Sequence, residues 1–179
     1  MKDFKGKRIL IVSDTHGKTD LLEKVFASEF YDALIFCGDG EGDEKSFAQM
    51  AGCPAEISIV RGNNDYNFSL PFTAVIPVGD HRIFAAHGHT YSLYSGFQRL
   101  EYAALEKECD ICVFGHLHKP FFLQTERMVF LNPGSISEPR QEGGIPTCAV
   151  LTLSEDGYTV HFLNAKDLSV IKTYTVSNN

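Results

Sequence analysis

The chain has 179 residues and a formal net charge of -7 with its histidines neutral, and 44% of its residues are hydrophobic. This length suits one domain, residues 1–179, and an acidic balance without a block of like charge argues against a protein that follows a nucleic-acid backbone. No apolar run reaches membrane-spanning length and residues 1–6 lack the apolar segment of a secretory signal, so we expect a cytoplasmic protein without membrane contact.

The first half of the chain predicts a parallel sheet. Apolar runs at residues 7–13, 32–37 and 56–60 are typical of interior strands. Thr19 or Asp20 would cap a helix after the first run, and Asp43 would cap another helix through Met50. Strands that alternate with helices in this way favour a sheet covered on its outer face.

The second half of the chain is richer in hairpins. A helix at residues 96–108 precedes a buried strand at 110–114, and a last strand is expected at 169–176. The hairpins pair residues 73–78 with 82–86, 121–124 with 128–131, and 148–153 with 158–163. Two sheets packed face to face with helices outside would satisfy both halves.

The five cysteines lie in apolar surroundings and are odd in number, which favours free thiols in a reducing compartment. Cys109 and Cys112 form a C-x-x-C pattern, but the chain lacks the second such pair that a structural zinc site needs. We therefore expect core thiols, with a redox pair as the alternative.

Metal-binding side chains recur where the predicted strands end. They are Asp14, His16, Asp39, Asn63, His87, His116 and His118. Singly, the aspartates and the asparagine are common turn residues, and a His-x-His pair is often incidental. Together they occupy five strand ends, and open α/β sheets bind their ligands at such an edge. We therefore predict a metal centre there.

The mixture of imidazole, carboxylate and amide groups suits a transition metal rather than calcium. An EF-hand interpretation from Asp39 fails, because Glu44 stands at the glycine position and Met50 at the closing glutamate position. Seven ligands exceed the needs of one metal, so two metals sharing a carboxylate are the economical interpretation. Manganese (Mn2+) is our first choice, with nickel, iron, cobalt and zinc as alternatives.

In this order the motifs resemble those of the calcineurin-like metallophosphoesterases. They are Asp14-x-His16, Gly38-Asp39, Gly62-Asn63-Asn64-Asp65, His87-Gly88-His89 and Gly115-His116-x-His118, extended by Asn132-Pro133-Gly134-Ser135 and Pro139-Arg140. The likeness is closest to the small phosphodiesterases of bacteria and archaea. It implies an α/β protein with a four-layer αββα sandwich of two mixed β-sheets, and a hydrolase that cleaves phosphoric esters, above all phosphodiesters.

The resemblance also implies a dinuclear centre with a defined division of ligands. The first metal would be held by Asp14, His16 and His118, the second by Asn63, His87 and His116, and Asp39 would bridge them. A hydroxide activated by the metals would attack the phosphorus of the substrate. His116 and His118, which alone suggest a single metal, would thus serve different metals.

One residue departs from the broader family. Where many members carry a histidine proposed to protonate the leaving group, this chain has Asn64. Because an amide cannot act as a general acid, we hypothesise that Asn64 hydrogen-bonds a phosphate oxygen and that preferred leaving groups need little protonation. His89 is an alternative acid, although its position beside a ligand also suits a role in orienting that ligand. Arg61 and Arg140 could contact phosphate, with surface salt bridges as the simpler alternative.

The competing function is a protein-interaction scaffold, because a retromer subunit resembles the same family and works through partner surfaces. The complete set of seven ligands favours catalysis. A nuclease fits the acidic balance poorly, and a protein phosphatase fits poorly with Asn64 and the short chain. The expected partner is a small phosphoester, and the sequence is compatible with a homo-oligomer.

Overall fold

Eleven strands form two mixed sheets in the computed structural model, which describes residues 6–178. The strands are β1 Arg8–Val12, β2 Ala33–Phe36, β3 Glu56–Ile59, β4 Thr73–Val78, β5 His81–Ala86, β6 Ile111–Phe114, β7 Pro120–Gln124, β8 Val129–Pro133, β9 Thr147–Ser154, β10 Gly157–Asn164 and β11 Val170–Ser177. The α-helices are α1 Asp20–Ser28 and α2 Gln98–Glu106. No helix within the described range is long and apolar enough to cross a membrane.

The parallel strands of each sheet are adjacent. The six-stranded sheet has the order β11-β10-β9-β1-β2-β3, and β1, β2 and β3 are parallel. The five-stranded sheet has the order β4-β5-β6-β8-β7, and β5, β6 and β8 are parallel. In each sheet, the carboxyl ends of three neighbouring strands therefore meet at one edge.

The apolar residues of the strands divide the core into layers, because alternate side chains point to opposite faces of a sheet. Ile9 and Ile11 of β1 lie in the cluster between the two sheets, whereas Leu10 packs with helix α1 on the outer face. On the far side, Leu100 of α2 packs against Phe114 of β6. This arrangement confirms the predicted four-layer αββα sandwich.

The predicted helix after β2 was wrong. The chain forms two single 3-10 turns there, Asp43–Lys45 and Phe47–Gln49, and Asp43 lies inside the first turn rather than at its cap. Gly42, which precedes the first turn, has a left-handed backbone, and its N–H donates a hydrogen bond to the Glu44 carboxylate at 3.0 Å. The chain then turns Phe47 inward against Phe36, at 4.9 Å between ring centroids. The backbone is extended at Met50, so the segment ends after these two short turns.

Two further local expectations were tested by the structure. Thr19 occupies the N-cap position of α1, but its side chain makes no capping hydrogen bond to the backbone. All five cysteines are free thiols; four are buried and Cys53 is half-buried.

An ion pair ties together the amino-terminal ends of β5 and β6. The Nδ1 atom of His81 meets the carboxylate of Asp110, which also accepts the Arg82 backbone N–H at 2.8 Å. The hydrogen bond with Asp110 raises the pKa of His81. Burial alone would raise the pKa of Asp110, but the hydrogen bonds with His81 and the Arg82 N–H, together with the charge of His81, lower it overall.

This pair should make stability depend on pH. The raised pKa of His81 stabilises the fold below the unfolded value of about 6.5 and stops doing so as pH rises through the folded value, while the lowered pKa of Asp110 stabilises it above about 3.9. The pair therefore contributes most between those limits. We expect His81→Gln to lower the free energy of unfolding by up to about 1 kcal/mol more near pH 5.5 than near pH 8.5. Urea denaturation of both proteins in the same chelating buffer measures this, and an equal loss at both pH values would contradict it.

Candidate metal centre

The ends of five parallel strands carry all seven predicted ligands. Asp14 and His16 follow β1, Asp39 follows β2, Asn63 follows β3, His87 follows β5, and His116 and His118 follow β6. Because the two sheets bring these ends to the same side of the sandwich, loops distant in sequence contact one another. His16 and His118, for example, are 102 residues apart and their Nε2 atoms are separated by 3.3 Å.

The first group of ligand atoms belongs to Asp14, His16 and His118, one atom from each lying within 4.8 Å of the others. Asp14 Oδ1 is 3.1 Å from His118 Nε2 and 4.0 Å from His16 Nε2. This oxygen is fully buried and has no hydrogen-bond partner of good geometry. Two imidazole nitrogens that face an unpartnered carboxylate oxygen fit a divalent cation.

The second group joins Asp14 and Asp39 to His87, again within 4.8 Å. His87 Nε2 is 3.3 Å from Asp39 Oδ2 and 3.1 Å from Asn63 Oδ1. The same Asp39 oxygen lies 4.0 Å from His16 Nε2 in the first group. Asp39 therefore stands between the two groups, where a bridging carboxylate would be.

His116 lies beside the second group without joining either tight cluster. Its ring centroid is 5.2 Å from that of His87, and its backbone N–H donates to Asp14 Oδ2 at 3.2 Å. The structure thus brings six of the seven predicted ligands together closely and sets His116 next to His87, the neighbour that the predicted division gives it.

Outer hydrogen bonds orient three of the four imidazoles. Nδ1 of His87 lies 2.7 Å from the Cys37 carbonyl, Nδ1 of His118 lies 2.7 Å from the Glu138 carbonyl, and Nδ1 of His16 lies 2.7 Å from Glu41 Oε1. Each acceptor requires the proton on Nδ1, which leaves the Nε2 lone pair directed at the centre in the neutral form. The role of Glu41 was not predicted, because its spacing from His16 carries no motif.

Electrostatics at the centre favour the ionised form of Asp39. Burial would raise the pKa of Asp39, but interactions with His87 and hydrogen bonds from Asn64 hold it well below its usual range. Burial lowers the pKa of His87 and of His118, yet their interactions with Asp39 and Asp14 raise both pKa values overall. Asp39 therefore attracts positive charge, which a metal ion would supply as well as a proton.

The backbone is strained at the ligands. Five of the seven predicted ligands have a positive φ, between 47° and 67°: Asp14, His16, Asp39, His116 and His118. A left-handed backbone is uncommon outside glycine and costs of order 1 kcal/mol or more at each residue. Such strain concentrated in one place indicates a functional site rather than ordinary turns.

Asp65 orders the loops without being a ligand. Its buried carboxylate accepts four backbone N–H groups, from Asp39, Gly40, Glu41 and Gly62, at 2.7 to 2.9 Å. The loops after β2 and β3 are therefore joined through one side chain. Gly62 is required at this junction, since a Cβ atom there would lie 2.0 Å from Asp39 Oδ1.

The loops after β1, β6 and β8 are joined in a similar way. Asn132 Nδ2 donates to the Gly115 carbonyl at 2.6 Å, and the hydroxyl groups of Ser135 and Ser137 donate to the Asp14 carbonyl at 2.8 and 2.9 Å. The Asn132-Pro133-Gly134-Ser135 motif thus supports the ligand loops from outside the cluster.

The remaining candidate residues surround the ligands. Asn64 donates to both Asp39 oxygens, through its backbone N–H and through Nδ2, each at 2.8 Å. His89 lies next to His87, at 5.4 Å between ring centroids, and its buried Nδ1 has no hydrogen-bond partner. Burial and the charge of His87 lower the pKa of His89. Arg61 stacks on the rings of Phe68 and Phe72, and Arg140 is exposed.

The family follows from a comparison over most of the chain. The model of the calcineurin-like phosphoesterase superfamily domain matches residues 8–156, a range that contains every predicted ligand. The chain belongs to this superfamily. The family uses divalent metals, in agreement with the candidate metal-binding residues found here.

Individual relatives in this superfamily have similar length. A probable metallophosphoesterase of Bacillus subtilis, YsnB, is 30% identical over 86% of this chain and 89% of its own. A crystal structure of a predicted phosphoesterase from Streptococcus pneumoniae superposes with a TM-score of 0.83 at 30% identity, covering 96% of this chain and 98% of that one. Vps29 of Entamoeba histolytica, complexed with zinc, shares the fold with a TM-score of 0.78 at 22% identity, covering 96% and 99%.

Alanine substitutions should show whether His116 and His118 serve different metals. If they do, wild-type protein loaded with manganese holds two equivalents, each single variant keeps about one after desalting, and the double variant keeps none. Metal analysis by mass spectrometry measures these ratios, with His161→Ala as the control, since His161 lies on β10 and bonds to Thr173. A double variant that still holds one equivalent would mean that both histidines serve the same metal.

Proposed function

We propose that this superfamily member is a phosphodiesterase that works with two divalent transition metals, manganese being our first choice. The observation that carries the proposal is the position of Asp39, whose Oδ2 lies 3.3 Å from His87 Nε2 and 4.0 Å from His16 Nε2. One carboxylate between two ligand groups is the arrangement that a pair of metals requires. The predicted division, with Asp14, His16 and His118 on one metal and Asn63, His87 and His116 on the other, is part of this proposal.

The residues of the chain supply position and charge. Two bound cations would lower the pKa of the attacking water and offset the negative charge of the phosphoryl oxygens. Glu41 and the carbonyls of Cys37 and Glu138 hold the imidazoles in the tautomer that such cations need. Asp65 fixes the backbone on both sides of Asp39, so the carboxylate does not have to be reorganised during the reaction.

The charge of the site favours diesters over monoesters. No lysine or arginine side chain in residues 6–178 hydrogen-bonds any of the seven ligands, so the ligand cluster itself contains no fixed cationic side chain. A monoester carries nearly two negative charges at neutral pH, because its second pKa is about 6, whereas a diester carries one. The smaller charge is easier to accommodate between buried carboxylates.

Asn64 limits which esters react well. One Nδ2 hydrogen is engaged by Asp39, and the other is free to donate to a phosphoryl oxygen of the substrate. Neither hydrogen is acidic, so the leaving oxygen must depart as an anion and take its proton from water. Burial lowers the pKa of His89, so fewer of its imidazoles carry a proton to donate near neutral pH, and we assign it to the surroundings of His87.

The relatives support this proposal and also its rival. The Bacillus and Methanothermobacter proteins are named probable metallophosphoesterases, and the zinc complex of Vps29 is evidence that this fold accepts a metal ion. Vps29 has the same fold at 22% and 17% sequence identity. This likeness of fold is equally compatible with a protein-interaction scaffold. The two functions differ in whether loss of the bridging carboxylate abolishes hydrolysis.

Activity against bis-(4-nitrophenyl) phosphate separates the two functions. We expect manganese-dependent hydrolysis, and we expect Asp39→Asn to lower kcat/KM by more than about 100-fold. This loss is larger than the one expected when the replaced residue only hydrogen-bonds a metal ligand. The control is Asp80→Asn, since Asp80 is exposed in the turn between β4 and β5. Full activity in Asp39→Asn, or none in metal-loaded wild type, would reject the proposal and favour the scaffold.

The lack of a general acid predicts a strong dependence on the leaving group. Aryl methyl phosphodiesters of graded phenol pKa should react more slowly as the pKa of the phenol rises, because the departing oxygen keeps its negative charge. Single-turnover rates plotted against phenol pKa measure the slope. A flat plot would mean that some group protonates the leaving oxygen, and Asn64 would then have a different role.

A further inference from the structure

A row of four aromatic rings lies along one side of the metal centre. It runs from Phe72 through His89 and His116 to Tyr94, and successive ring centroids are 5.9, 6.4 and 6.0 Å apart. Of the two inner rings, His116 is a predicted ligand and His89 lies next to the predicted ligand His87. The outer rings are open to solvent, Phe72 being 52% and Tyr94 78% exposed. Flat apolar surfaces therefore stand directly beside the predicted ligands.

Exposed aromatic side chains are concentrated at this place. Within residues 6–178 the strongly exposed ones are Phe30, Tyr66, Phe68, Phe72, Tyr94 and Tyr102. Four of these six lie in the two loops that follow Asn63 and His87. Apolar surface gathered at a functional site is typical of binding rather than of chance exposure.

Arg61 adds an unpaired positive charge to the same side. Its guanidinium carbon lies 4.2 Å from the ring centroid of Phe68 and 5.2 Å from that of Phe72, and it forms no ion pair with any described residue. Cation–π contacts of this kind hold both partners in place. A cation without a carboxylate partner suits an anionic ligand bound beside these rings.

The other side of the centre is polar. His16 is in contact with Glu41, and beyond His118 the exposed Lys18 and Glu138 form an ion pair at 2.8 Å. The centre thus has an aromatic side and a polar side. A substrate that matches both has a flat ring on only one side of its phosphate.

We propose that the aromatic row binds the base of a nucleoside phosphodiester, with the base stacked on Tyr94 beside His116. A nucleobase fits better than an aliphatic chain, because the row offers open flat faces and stacking accepts any base. The inference rests on the proposed phosphodiesterase activity, which it narrows to esters of nucleosides. The reaction is unchanged: a water oxygen bonds to phosphorus, the bond from phosphorus to the leaving oxygen breaks, and the leaving oxygen takes a proton from solvent.

Two substrates with the same leaving group test the inference. Thymidine 5′-(4-nitrophenyl) phosphate and methyl 4-nitrophenyl phosphate both release 4-nitrophenol and differ only in the group that stays on phosphorus. We expect wild-type protein to prefer the thymidine ester by about 5-fold or more in kcat/KM, mainly through KM, since stacking on an aromatic ring contributes about 5- to 150-fold in affinity. Tyr94→Ala should remove most of this preference and Tyr94→Phe should keep it. Tyr102→Ala, on α2, is the matched control and should match wild type with both esters.

The outcomes separate this inference from the proposed function. If both esters are hydrolysed without a preference that depends on Tyr94, the nucleoside site is refuted while the phosphodiesterase stands, and the aromatic row is better explained as a docking surface for a protein. Equal loss in Tyr94→Phe and Tyr94→Ala would also refute it, because the hydroxyl would then be responsible.

If neither ester is hydrolysed, the proposed phosphodiesterase activity is rejected, and calorimetric binding of the thymidine ester to manganese-loaded protein then tests the nucleoside site by itself. Binding weakened by about 5-fold or more in Tyr94→Ala would support the site, and equal or absent binding would refute it.

Discussion

Two carboxylates buried at the ends of neighbouring parallel strands impose the main physical constraint on this protein. Asp14 is fully buried and Asp39 is 2% exposed. Burying an ionised carboxylate costs several kcal/mol unless hydrogen bonds and opposite charge compensate. Asp39 receives this compensation from Asn64 and His87, whereas Asp14 Oδ1 faces two imidazole nitrogens without a good hydrogen bond. The fold therefore gathers carboxylate oxygens in a place where a bound cation would complete the compensation.

The loops around these carboxylates are ordered by hydrogen bonds that do not involve a ligand. Asp65 collects four backbone N–H groups from two loops, and the hydroxyl groups of Ser135 and Ser137 share the Asp14 carbonyl. These contacts offset the left-handed backbone at the ligands, because a strained conformation persists only where its surroundings determine it. The packed sandwich supplies a rigid frame, and the polar contacts at its edge convert that frame into fixed positions for the side chains.

The sequence predicted the two sheets and the edge where the ligands meet, since both depend on signals that are local in the chain. Runs such as Ile9 to Val12 mark interior strands, and polar side chains at their ends mark the loops. The helix at Asp43 was predicted wrongly because capping propensity indicates where a helix can begin and not how far it continues, and here the backbone is already extended at Met50. The roles of Glu41 and Asp65 depend on contacts between loops, so no periodicity in the chain could have assigned them.

The orientation of the imidazoles says more about metal binding than the fold does. The same sandwich is found in Vps29 at 22% identity, so architecture alone does not decide between catalysis and partner binding. A docking surface requires shape and apolar area, both of which the exposed aromatic rings offer. It does not require three histidines to present Nε2 inward while Nδ1 meets an acceptor at 2.7 Å. Such control of the tautomer directs three Nε2 lone pairs toward one place, which is what a bound cation would require.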